Sequence, residues 1–244
     1  MHVSSSPAIL YFGTPVVLIA SVNEDGSHNL APMSSAFWLG WRCVIGLAAG
    51  SKTTQNLQRS GECVLNLPSV NEAAAVNRLA LTTGSQPVPS AKQARGYRHV
   101  ADKFGLAGLT PQASETVQAA RARECPVQME AVVEATHGLA DRDEWLRGRV
   151  VTFELRIQRV HLEESILVRG ERDRVDPDQW RPLIMSFQRF YGLAPQQVHD
   201  SALATIPEAL YRSPDVDRAR ATPPRTDASL VTPRLAGCTG RSTA

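Results

Sequence analysis

The longest regular pattern in the chain runs from 150 to 162 (VVTFELRIQRVHL), where Val151, Phe153, Leu155 and Ile157 alternate with Thr152, Glu154, Arg156 and Gln158. A period of two places the two sets on opposite faces of a strand, one face for a core and one for solvent. Shorter apolar runs rich in β-branched residues predict further strands at 16–22 (VVLIASV), 42–47 (RCVIGL), 62–67 (ECVLNL) and 126–136 (PVQMEAVVEAT). The first of these ends in Asn23-Glu24-Asp25-Gly26, and an Asp-Gly pair between two strand-like runs predicts a hairpin. The second arm begins at His28 and is interrupted at Pro32, which has no N–H to give to a ladder.

Helical signals are short. Ser51 is placed to cap a helix over 52–59 (KTTQNLQR), and Gly61 sits where a helix C-cap glycine belongs. An Ala-rich helix is expected over 71–81, then a surface loop from Ser85 to Arg98, then helical pieces near 101–105 and 114–122. Asp176-Pro177-Asp178 opens a helical turn, and the aromatic segment 180–191 is expected as a helix packed over the barrel or a subunit seam. From Ser213 the chain holds few large apolar residues, so 1–212 is expected as one domain and 213–244 as a disordered tail. Six or seven strands in separated groups, without βαβ alternation, predict a mainly β chain with helical insertions, an antiparallel barrel rather than a parallel doubly wound sheet.

Composition narrows the partners. Hydrophobic residues make up 43% and charged residues 20%, with a net charge of +2 and no basic stripe, so neither nucleic acid nor an anionic membrane is called for. No apolar run approaches the ~20 residues of a membrane span, and the start, MHVSSSPAIL, lacks the pattern of a secretory leader. The four cysteines (43, 63, 125 and 238) share no metal-ligand spacing and are expected as reduced thiols. Together these features predict a soluble, cytoplasmic protein. His28, His137 and His161 stand alone, and there is no G-x-S-x-G or H-E-x-x-H.

Two stretches carry candidate chemistry. In 46–56 (GLAAGSKTTQN), a strand leads into a helix whose first N–H groups, the Ser51, Thr53 and Thr54 hydroxyls and the Lys52 ammonium all suit a phosphate. The run nearly matches a nucleotide-hydrolysing P-loop, but Ser51 replaces the second glycine and no later strand ends in an acidic magnesium ligand. In 29–35 (NLAPMSS), the strand broken at Pro32 exposes backbone donors and acceptors to the edge of a planar ligand.

In combination, VVLIAS, Asn29-x-x-Pro32-Met33-Ser34-Ser35, RCVIGLA, S-K-T-T-x-N-L and G-E-C-V-L-N-L-P stand in the order found in flavin-reductase-like FMN-binding split barrels. The chain resembles that family over roughly 9–195, and its flavoredoxin-like branch most closely. Further matches are Lys92 with Arg95-Gly96-Tyr97, Asp102-Lys103-Phe104, Gly108-Leu109-Thr110 and Glu124-Cys125-Pro126-Val127-Gln128.

The resemblance implies a six-stranded antiparallel Greek-key split barrel, a homodimer, and one FMN per subunit near the subunit interface. It assigns Ser51, Lys52, Thr53, Thr54 and Asn56 to the FMN phosphate and ribityl chain. Asn29, Pro32, Met33, Ser34 and Ser35 fall to the isoalloxazine edge, and Lys92 to a second cation for the phosphate or for a nicotinamide nucleotide. It further implies that NADH or NADPH passes hydride to the flavin, which then serves an oxygenase or another acceptor. That chemistry resides in the cofactor and asks for no catalytic side chain. The alternatives are an FMN-holding electron carrier that does not react with nicotinamide, and a flavin-free dimeric binding module.

Overall fold

The computed structural model describes residues 1–199 and 201–226. Strands Phe12–Pro15 (β1), Val17–Val22 (β2), His28–Met33 (β3), Ala36–Leu39 (β4) and Arg42–Ala48 (β5) lead into helix Lys52–Ser60 (α1) and strand Glu62–Leu67 (β6). A 3-10 turn at Val70–Glu72 runs into helix Ala73–Leu79 (α2). The short strands Thr82–Thr83 (β7) and Arg98–His99 (β8) bracket helix Ser90–Gln93 (α3). Helix Lys103–Ala107 (α4) and the short pair Pro111–Gln112 (β9) and Arg121–Ala122 (β10) precede the long hairpin Val127–Gly138 (β11) and Val150–Leu162 (β12). A small hairpin, Ile184–Ser186 (β13) and Arg189–Tyr191 (β14), and helix Pro214–Ala221 (α5) follow.

The main sheet has seven strands in the order β3-β2-β6-β11-β12-β5-β4, antiparallel at every step. Its two edge strands are consecutive in the chain, with only Ser34 and Ser35 between Met33 and Ala36. Three Cα steps span at most about 11 Å, whereas seven strands laid flat would hold their edges about 29 Å apart. The sheet therefore curls until the end of β3 meets the start of β4. Among the described residues no ladder joins these two strands, which makes the barrel a split one.

One core fills the barrel, built from Val17, Ile19, Ile45, Leu65, Phe153, Leu155 and Ile157. A second lies outside β2 and β6, where Leu18, Ala20, Leu30 and Val64 meet Val76 and Leu79 of α2 and Phe104 of α4. The unbroken apolar run at 16–20 has this cause: both faces of β2 are covered, so alternation disappears.

Five expectations are corrected. The strand expected to break at Pro32 runs unbroken from His28 to Met33, with Pro32 opposite Leu18 on an edge strand, where a missing N–H costs no ladder bond. The sheet has seven strands rather than six, because Ala36–Leu39 pairs with β5, and its exposed Phe37 and Leu39 hide the usual alternation. Segment 180–191 forms the β13–β14 hairpin rather than a helix. Phe187 and Gln188 turn it with φ of 43° and 66°, the twist a two-residue hairpin turn needs, and β1 supplies the ladder on the other side of β13. Segment 114–122 is not helical. The buried Glu130 carboxylate accepts hydrogen bonds from the Glu115 and Thr116 N–H groups at 2.9 and 2.6 Å, replacing helical acceptors. The expected disordered tail is ordered in its first part. Asp215 of α5 accepts from Arg42 at 2.8 Å, and Ala219 is buried against the barrel, which offsets the ordering cost of a polar helix. The remainder of that tail, 227–244, lies outside the described residues.

Candidate functional site

A cavity of about 590 Å³ opens where the end of β5, the start of α1 and the edge strand β3 meet the 79–84 and 92–97 segments. Ser51 caps α1, its Oγ accepting from Thr54 N–H at 3.1 Å, so the first turn of the helix faces this space with Lys52 and Thr53 on the wall. Pro32 and Met33 form the adjoining wall, with Leu47, Leu81, Leu139 and Val150 adding apolar surface. Opposite, Lys92 Nζ donates to Thr83 Oγ1 at 3.3 Å and lies 5.7 Å from the centre of the Tyr97 ring, which Arg95 also approaches.

The polarity of the cavity is one-sided. Lys52, Lys92, Arg95 and Lys103 line it, and no carboxylate does. Burial, and after it the nearby Arg95, lowers the Lys92 pKa. Burial together with the like charge of Lys92 brings Lys103 down to about 8. Lys52 reaches the rim, where it pairs with the exposed Glu24 at 3.2 Å.

Two further details belong to this wall. Asn29 is 2% exposed; its Nδ2 donates to Thr53 Oγ1 at 3.1 Å, while its Oδ1 has no hydrogen-bond partner among the described residues. Gly84 leaves a cradle beside it. A Cβ there would sit 2.7 Å from Asn29 Oδ1 and 3.1 Å from Lys52 Cγ.

Of the residues singled out in the sequence, Asn29, Pro32, Met33, Ser35, Ser51, Lys52, Thr53 and Lys92 line the cavity. Ser34, Thr54 and Asn56 do not. Thr54 Oγ1 donates to Ala48 O at 2.9 Å, holding the end of β5 against α1. Asn56 is fully buried; its Nδ2 donates to Ser21 Oγ and Asn23 Oδ1, and its Oδ1 accepts from Arg59. Thr54 thus fastens α1 to the end of β5 and Asn56 fastens it to the β2–β3 hairpin, so that both position the wall without forming it. Sequence reasoning gave no role to Thr83, Gly84, Arg95, Tyr97 or Lys103. The one local sign of Lys103 was a single charge in an otherwise apolar short helix (KFGLA).

Other candidates fall away. His161 Nε2 donates to the Glu130 carboxylate at 2.7 Å in a structural pair, and His28 is half-buried against the Phe104 edge, its pKa lowered by burial. Burial raises the thiols of Cys43, Cys63 and Cys125 far from reactivity. Among the described residues no group of His, Cys, Asp and Glu could hold a metal ion, and no helix is long and apolar enough to cross a membrane. A larger cleft of about 980 Å³ between 168–177 and 203–211 is open to solvent, and its Arg174 is paired with Glu171 and Glu208. The smaller cavity combines clustered cations, among them Lys103 with no hydrogen bond or ion pair among the described residues, with apolar walls and the unpartnered Asn29 Oδ1.

Residues 9–194 match the flavin reductase like domain, and the chain belongs to that family. An uncharacterized protein of Bacillus subtilis (strain 168), YdfE, is 36% identical over 187 residues, which cover 77% of this chain and 87% of that protein. Among solved structures, the flavoredoxin of Desulfovibrio vulgaris (Miyazaki F) superposes with a TM-score of 0.66 at 19% identity, covering 84% of this chain and 99% of that one. Component B of the nitrilotriacetate monooxygenase of Bacillus cereus does so with a TM-score of 0.61 at 22% identity, covering 76% and 87%. These two likenesses show a shared fold.

Proposed function

We propose that this protein, as a homodimer, binds FMN in the seam cavity, accepts hydride from NADH or NADPH, and delivers reduced flavin to an oxygenase or another acceptor. The observation that carries the reading is the one-sided chemistry of the cavity: a helix N-terminus and four cationic side chains, without a carboxylate among the described lining residues, next to an apolar wall along the edge strand β3. The fit is good on independent grounds. Gly84, lacking a Cβ, lets Asn29 and Lys52 pack closely against backbone at the cavity wall, and Asn29 Oδ1 is an acceptor in need of a donor.

Ser51, Lys52 and Thr53, with Lys92 from the opposite wall, would hold the phosphate and ribityl chain, and Thr54 and Asn56 would hold those residues in place. Asn29, Pro32, Met33 and Ser35 would meet the ring edge, with Ser34 supporting the bend between them. When bound, FMN supplies the hydride-accepting and electron-transferring chemistry. The side chains bind, orient and exclude water, in keeping with a cavity whose walls present no carboxylate or histidine as acid or base. Delivery to an oxygenase is suggested by the likeness to a protein named as component B of a monooxygenase.

Purified protein mixed with FMN should take up close to one flavin per chain, and the bound flavin should bleach on rapid mixing with NADH or NADPH. Flavin uptake without bleaching would favour an electron carrier instead. No uptake of any flavin would end the reading.

A further inference from the structure

Lys103 is 3% exposed and lines the seam cavity, yet among the described residues its ammonium has neither a hydrogen bond nor an ion pair. The neighbouring Asp102 carboxylate is committed elsewhere, accepting from Gly105 N–H at 2.8 Å as the cap of α4. The Glu24 carboxylate is held at the rim by Lys52 and Arg59. The charge that acts most directly on Lys103 is the cation Lys92. On the elements packed against α4, Arg78 of α2 is bonded to Ala107 O, and His28 of β3 lies against Phe104 with its charged form disfavoured by burial.

A buried cation facing other cations is an electrostatic cost to the fold as it stands. An aliphatic side chain of similar length would pack in the same place without that cost. The arrangement becomes favourable when an anion enters the cavity, because Coulomb attraction is strong where water is excluded. Lys92 on the facing segment and Lys52 beside Gly84 point to one compact, multiply charged group rather than a lone carboxylate.

We propose that Lys103 is a phosphate-binding residue of the cavity and, resting on the flavin reading above, that it gives the site its preference for a phosphorylated flavin over riboflavin. Three quantities test this on the full chain, Lys103→Met and Lys103→Arg: FMN affinity, riboflavin affinity, and the melting temperature with and without inorganic phosphate. In Lys103→Met, FMN affinity should fall about 10- to 100-fold, the span expected for one charge-assisted contact, with riboflavin affinity unchanged. Lys103→Arg should keep most of the FMN affinity. Phosphate should raise the melting temperature of the unsubstituted protein and leave Lys103→Met unmoved, while ligand-free Lys103→Met should melt no lower than the parent.

Equal loss of both flavins, or a lower melting temperature of ligand-free Lys103→Met, would mean that Lys103 only supports the fold and would overturn the proposal. So would an unchanged phosphate response. A parent protein that binds neither flavin but shows the Lys103-dependent phosphate response would overturn the flavin reading and leave the phosphate assignment standing.

Discussion

The Asn29 side-chain amide donates to Thr53 Oγ1 across 3.1 Å, joining the edge strand β3 to the first turn of α1 through two residues that are almost wholly buried. The same amide nitrogen also reaches Ser21 Oγ at 3.4 Å. Asn29 thus ties together the two walls that the sequence offered as separate motifs, one suited to a ring edge and one to a phosphate. Asn29→Ala should destabilise the protein by roughly 1–3 kcal/mol, the cost of losing such bonds and leaving Thr53 without its donor. It should also weaken FMN binding. Urea unfolding and a flavin titration check both, and a variant as stable as the parent would show that the bridge is idle.

Gly84 has an ordinary backbone conformation, so its role is spatial. A methyl group there would meet Asn29 Oδ1 at 2.7 Å and Lys52 Cγ at 3.1 Å. Gly84→Ala should fold, with overpacking strain of about 1–3 kcal/mol, and should lose FMN affinity as Lys52 and Asn29 are pushed aside. Calorimetric titration with FMN measures this; undiminished affinity would place the ligand elsewhere.

Lys52 and Thr54 are adjacent in motif but not in role. Lys52→Ala should reduce FMN affinity by roughly 1.5–3 kcal/mol and barely change stability, since its partner Glu24 is largely exposed. Thr54→Ala should do the reverse, because the Thr54 hydroxyl bonds Ala48 O and Ser51 Oγ inside the fold. Thermal melts beside flavin titrations separate the two, and a Thr54→Ala protein with parental stability and lost affinity would reverse the assignment.

Glu130 lies in the middle of the main sheet. Burial pushes its carboxyl pKa up, but hydrogen bonds from His161, Thr116 and the N–H groups of Glu115 and Thr116 outweigh burial and hold it at about 2. A carboxylate whose pKa is depressed by folding contributes stability that is complete above its unfolded value near 4.5 and is lost as pH falls toward 2. Glu130→Gln should therefore lower stability at pH 7 by roughly 2–4 kcal/mol and flatten the decline between pH 4.5 and 2. Denaturant unfolding across that range is the measurement. An unchanged acid limb would show that other carboxylates govern it.

The features legible in the sequence are those that neighbouring residues settle among themselves. The period of two at 150–162 became β12 with the expected buried face, the Asn23–Gly26 run became a hairpin turn, and Ser51 and Gly61 capped α1 from both ends. Steric limits on the backbone and hydrogen bonds a few residues long decide such elements, so the chain carries them locally. The hairpin at 184–191 was missed because its strand character depends on β1, far away in sequence. The helix at 214–221 was missed because its anchor is Arg42, 173 residues from Asp215.

By itself, then, the sequence determined six strands of the main sheet, the caps of α1 and the two polar motifs, together with the family likeness their order carries. Only the tertiary structure decided that the sheet curls until its edges meet, that Thr54 and Asn56 turn inward as fasteners, and that Gly84 and Lys103 join Asn29 and Lys52 around one cavity. The physical reason is range. A cavity is defined by side chains that approach one another through sheet curvature and packing, and those approaches are set by the whole core rather than by any stretch of chain.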